Sequence, residues 1–181
     1  MTTVPFLSDL TRLRGRTRKH SAEGAAATGG AARRAMILQL LNDVLASELI
    51  WLMRYRRSYL LRSRKAAIRD EHAGDDSTPA GRLAQRIVEL GGRPDFDPDD
   101  LLSRSRAHYA SHGPMGDRIR EDLQAERLLI ESYTEVLRYL GAADPPTRAM
   151  LQANLGHERA RADELSQILR DLETQSLGRS S

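Results

Sequence analysis

The sequence predicts an all-α protein, an antiparallel four-helix bundle with one long crossover. Apolar residues recur at steps of three and four over long stretches, which is the spacing of one helix face, and no alternating strand pattern interrupts them. The breaks between these stretches run short, long, short. The first two and last two helices therefore pair as hairpins, and a connection of about 20 residues travels along the bundle between them. A third pattern bears on function: each of three apolar stripes carries a carboxylate at its middle.

Residues 1–33 begin with a short amphipathic piece, Pro5 to Leu10. Arg12, Arg14, Arg16, Arg18 and Lys19 follow, and then a Gly/Ala-rich stretch around Gly29-Gly30. This segment is expected to be a flexible basic arm, dispensable for folding. The first long helix runs from about 34 to 62, with the stripe Ile37, Leu41, Val44, Glu48, Trp51, Tyr55 and Tyr59. Its basic end, Arg54 to Lys65, and the arm are two charge runs in a chain of net charge +3. Such runs attract phosphate, or are simply solvated faces.

The second helical region begins near Lys65 and stops at Gly91-Gly92. Its stripe is Ile68, His72, Asp76, Pro79, Leu83, Ile87 and Leu90. Gly74, Pro79 and Gly81 crowd its middle, and a proline inside a helix costs about 3 kcal/mol. Asp76-Ser77 followed by Pro79 is instead a helix start, so a break is expected between Ala73 and Pro79, with Asp76 as a cap. The crossover is Arg93 to His112. Gly113-Pro114 opens the third helix, with Ile119, Leu123, Glu126, Ile130, Tyr133, Leu137 and Leu140 inward and Gly141 as its stop. Asp144 and Pro145 open the fourth, with Leu151, Asn154, Glu158, Arg161, Leu165 and Ile168 inward. It is expected to end near Leu172, with 173–181 a disordered tail, so that the bundle is residues 34–172.

A chain of 181 residues can bury one real core. It has no Cys, which excludes disulfides and thiolate metal sites and suits a reducing cytoplasm. No secretory h-region follows the basic N-terminus, and no apolar run of about 20 residues suggests a membrane span. A buried carboxylate costs several kcal/mol unless neutralised. Three in one layer point to a metal, a ligand cation or an ion-pair network.

The chain resembles the bacterioferritin-type branch of the ferritin-like superfamily over nearly its full length. The resemblance is carried by Pro5-Phe6-Leu7-Ser8-Asp9, Leu41-Asn42-Asp43-Val44-Leu45-Ala46-Ser47-Glu48 and Arg54-Tyr55. It continues in the run from Leu83 to Gly92, in Asp95-Phe96-Asp97-Pro98, and in the run from Arg120 to Arg127. Ile130-Glu131-Ser132-Tyr133 and Ala162-Asp163-Glu164-Leu165 complete it. It implies a di-iron centre with one Glu from each of two helices and a Glu-x-x-His pair from each of the others. It also implies ferrous oxidation and, in many relatives, storage of ferric iron in a shell.

Carried onto this chain, the metal candidates are Glu48, Asp76, Glu126 and Glu158, but both His positions are changed, to Pro79 and Arg161. The resemblance thus implies iron, while the incomplete ligand set predicts that it is weakly held or absent and that the protein is inactive as a ferroxidase. Ser77 stands where a haem-ligating Met would be, so haem is not expected. His72 and His157 each lie one turn from a missing ligand. They are either substitutes or ordinary polar residues, and a turn moves a ligand about 5 Å. Arg161 either joins Glu48, Glu126 and Glu158 in a metal-free ion-pair layer or carries its head outward to water.

Two functions remain open. One is an iron-binding, iron-storage protein with a degraded di-iron centre. The other is a non-catalytic structural subunit, with non-specific nucleic-acid contact through the basic arm. In either case the chain is expected to be a cytoplasmic homo-oligomer, at least a dimer, or to co-assemble with an active relative.

Overall fold

The computed structural model describes residues 5–25, 30–62, 78–96 and 114–178, with side chains described within 11–23, 30–53, 78–96 and 114–175. Among the described residues there are five helices and no strand. They are α1 (Pro5–Ala25), α2 (Gly30–Arg62), α3 (Pro79–Glu89), α4 (Met115–Leu140) and α5 (Pro145–Gly178).

The bundle is α2 to α5. α2 packs on α3 and α4, and α5 packs on α4 and α3, so α2 faces α5 across the core. Leu40, Leu41, Leu45, Leu83, Ile87, Leu129, Leu140 and Leu151 are fully buried between them. Burying a Leu or Ile side chain contributes about 1.5–3 kcal/mol, so these residues dominate the stability of the bundle. The 24 residues Gly30–Met53 are long and apolar enough to cross a membrane by length and composition, contrary to expectation. That stretch is 67% buried in the bundle, so its apolar character is that of a core helix.

The starts and stops follow from local chemistry. Thr78 is extended (φ −88°, ψ 153°), and its Oγ1 accepts from the Gly81 N–H at 3.0 Å, so α3 begins at Pro79 with a Thr cap. The expected break thus falls at Thr78. Asp76, the expected cap, lies outside the described residues, as do Ser77, His72 and the crossover from 97 to 113. α3 ends at Gly91 (φ +72°), where the Gly92 N–H reaches back to the Ile87 carbonyl at 2.9 Å. Asp144 caps α5, taking the Thr147 N–H at 3.2 Å and the Thr147 hydroxyl at 2.6 Å. Arg86 Nη2 reaches the same carboxylate at 3.1 Å and ties α3 to this cap.

Among the described residues, both ends expected to be flexible carry helix. The arm expected over 1–33 carries α1, which packs on α2 and α4. Asp43, a buried carboxylate on α2, accounts for this docking by drawing in Arg16 and His20. The tail expected from 173 continues α5 to Gly178, and Glu173 pairs with Arg120 of α4 at 3.0 Å. The polar composition of these segments was read as disorder. It instead reflects helices held by ion pairs.

Candidate metal centre

Stripe periodicity brings Glu48 (α2), Glu126 (α4) and Glu158 (α5) to the middle of the bundle, all buried. Glu158 and Arg161 are one turn apart on α5, so they share a face. Arg161 Nη1 donates to Glu158 Oε2 at 3.1 Å and to Glu126 Oε1 at 3.3 Å. Its guanidinium lies over the Trp51 ring, 3.9 Å from the centroid. Arg161 is therefore inward, bridging two carboxylates and stacked on an aromatic face. Its side chain keeps 24% of its exposure, so it stands between the layer and water.

A second chain of hydrogen bonds reaches Glu48. Tyr133 donates its hydroxyl to Glu48 Oε1 at 2.6 Å. Asn154 Nδ2 donates to that hydroxyl at 3.2 Å and to the Pro79 carbonyl at 3.1 Å. Asn154 Oδ1 in turn accepts from Arg82 Nε at 2.7 Å. Tyr133 and Asn154 were placed inward by their spacing, but their roles were not. Which polar residue answers which carboxylate depends on the rotation of neighbouring helices, and a single stripe does not encode that. Arg82 was missed because an Arg on α3 reads as surface.

Burial is the main force on every acid here. It pushes Glu48 up to about 8, with Glu158 adding to the rise while Tyr133 and Arg161 oppose it. It pushes Glu158 up to about 9, with the adjoining Glu126 side chain raising it further and Arg161 opposing. Glu126 is also raised, mainly by burial. Burial lowers the affinity of Arg161 for its proton, but the three carboxylates outweigh it, so the guanidinium stays charged. At neutral pH, Glu48 and Glu158 accordingly hold protons. Glu126 Oε2 and Glu158 Oε1 are buried without a hydrogen-bond partner, a cost that a neutral Glu158 reduces.

The described residues alone do not make up a di-iron ligand set. Among the described residues, no group of three His, Cys, Asp or Glu side chains is arranged to hold a metal ion. Arg161 occupies oxygens of Glu126 and Glu158 that a metal would need. Pro79 is the first residue of α3, and its side chain has no ligand atom. His157 is exposed on α5, away from the layer, while Asp76 and His72 lie outside the described residues.

The bundle topology and its central carboxylates define a ferritin-like protein. Residues 63–174 match the family model of the Ferritin-like domain, and the chain belongs to that family. Two solved structures share the fold. One is the bacterioferritin-related protein of Bacteroides fragilis, described as a dodecameric thioferritin (TM-score 0.65, 23% identity, covering 80% of this chain and 90% of that one). The other is the bacterioferritin of Desulfovibrio desulfuricans, described with its diiron site in different catalytic states (TM-score 0.65, 23% identity, covering 82% of this chain and 86% of that one). A search of curated sequences returns no match.

Proposed function

We propose that this chain is a ferritin-like subunit of the iron-storage class whose di-iron centre has become an ion-pair layer. It serves in an assembly without ferroxidase activity of its own. The observation that carries this reading is Arg161 Nη1 donating to both Glu126 and Glu158. A permanent cation at this point gives the carboxylates the positive charge that iron would otherwise supply. Family membership and the dodecameric and diiron proteins of like fold support an oligomer in which iron is handled. That oligomer is either made of this chain alone or shared with an active relative, and the proposed location is the cytoplasm.

The nucleic-acid alternative has less behind it. Arg14 and Arg16 of the basic segment are engaged by Glu131 at 2.5 Å and Asp43 at 2.6 Å. The test of the main reading is anaerobic titration with ferrous iron, followed by oxygen exposure and native mass measurement. Binding well below two irons per chain, slow oxidation and an assembly larger than a monomer are expected. Two tightly bound irons per chain with rapid oxidation would overturn the reading.

A further inference from the structure

Between residues 11 and 23, whose side chains are described, α1 meets the bundle by charge more than by apolar contact. Of these residues, Leu13 is the one hydrophobe packed against the core, and it is only partly buried. The residues it buries fully are Thr17 and Ser21, and the Thr17 hydroxyl turns back to the Leu13 carbonyl at 3.1 Å. Neither contributes much by leaving water.

What α1 does offer is Arg14, Arg16 and His20, and bundle acids meet them. Arg16 Nε donates to Asp43 Oδ1 at 2.6 Å, and His20 Nδ1 lies 2.7 Å from Asp43 Oδ2. Arg16 and His20 are four residues apart, so they lie on one face of α1 and grip the two oxygens of one carboxylate. Arg14 reaches Glu131 of α4 at 2.5 Å.

The two sides of this grip are unequal. Arg16 keeps 43% of its side-chain exposure, so it is solvated with or without a partner. Asp43 keeps 5% and depends on α1 for Arg16 and His20. A buried carboxylate stripped of its partners is costly, whereas a neutral group of the same shape is not. Among the described residues, the fully buried leucines and isoleucines of the core lie on α2 to α5.

We infer that α1 is a strap latched by charge, which lifts off the α2–α4 face as a unit when Asp43 loses Arg16 and His20, leaving the bundle folded. Asp43→Asn would keep the latch shut, because the amide oxygen can accept from Arg16 and the amide N–H can donate to a neutral His20 ring, without the cost of a buried charge. Burial already raises the Asp43 carboxyl above the usual range in spite of both partners, consistent with that cost.

Hydrogen exchange of the full chain, resolved by mass spectrometry, tests this on two variants. In R16A/H20A, amides of 5–25 should lose protection about tenfold or more, while those of 115–140 and 145–175 keep theirs. In D43N, protection of 5–25 should stay within about threefold of the parent. Unchanged protection of α1 in R16A/H20A would show that packing holds the helix. Loss across the whole bundle would show that α1 is no separate unit. A loss in D43N equal to that in R16A/H20A would show an ordinary hydrogen bond, with the charge of Asp43 irrelevant. Each of these outcomes overturns the inference.

Discussion

Replacing Arg161 by Met removes the guanidinium and keeps an unbranched stem of similar reach against Trp51. The cost should depend on pH, because the partners titrate. Glu48 and Glu158 are raised from 4.5 to about 8 and about 9, so the folded state binds their protons more tightly than the unfolded chain. They cost nothing below about pH 4.5, where both states are protonated. They draw down stability as pH rises through 8 and 9, where the folded protein must carry the charge. Arg161 matters most at that alkaline end. Removing one partner of a buried pair costs about 3–5 kcal/mol, and the partial exposure of Arg161 argues for less, about 2–3 kcal/mol at pH 9. At pH 5.5 Glu48 and Glu158 are neutral, so less charge depends on the guanidinium, and its stacking on Trp51 and its hydrogen bonds contribute about 1 kcal/mol. Urea unfolding of parent and R161M at pH 5.5, 7 and 9 measures the difference. A destabilisation that grows by about 1–2 kcal/mol over this range is expected. A flat profile, or one that shrinks toward pH 9, would refute the electrostatic role assigned to Arg161.

Other outcomes follow from the same contacts. Tyr133→Phe removes the donor to Glu48 Oε1 and the acceptor for Asn154, and should destabilise by about 1–2 kcal/mol in chemical denaturation. The loss should be largest at alkaline pH, where Glu48 is charged; a stability equal to the parent's at pH 9 would contradict the relay. Thr78→Ala removes the cap of α3 and should lower stability by about 1 kcal/mol, with Thr78→Ser recovering most of it. Arg161→His restores a Glu-x-x-His pair on α5 and removes the competing cation. Ferrous affinity in anaerobic calorimetry should rise about tenfold or more, but to no more than one iron per chain, because Pro79 supplies no ligand. An affinity equal to the parent's would show that something other than the guanidinium keeps iron out.

The bundle was legible because its signals are local. The three- and four-residue steps of Ile37, Leu41 and Val44, or of Ile119 and Leu123, place those side chains inward whatever lies around them. Asp144 with Pro145, and Gly141 with its φ of +55°, act within one turn and were read correctly. Legibility failed where a polar residue is buried by a distant partner. Asp43 sits on α2 among core positions, yet nothing near it in sequence announces Arg16 and His20 some 23 to 27 positions earlier. Without that pairing, a run of arginines reads as solvent-facing and mobile. Folded, one arginine of the run, Arg16, meets a buried carboxylate.

The carboxylate layer joins both kinds of signal. Position alone puts Glu48, Glu126 and Glu158 inward, but the chemistry of the layer turns on how their charge is met. In a di-iron protein that charge is met by metal, and the ligands must then include neutral donors such as imidazole at fixed points. Here a guanidinium contacts two of the acids, and burial keeps protons on two of the three. The guanidinium and the held protons together offset much of the negative charge that three buried acids would otherwise carry. Such a layer has little to gain from a divalent ion, since binding would require expelling Arg161 and stripping the held protons. A guanidinium at position 161 therefore does two things. It supplies a counter-charge and it occupies carboxylate oxygens, and the raised proton affinities of the acids lessen the charge left to be met.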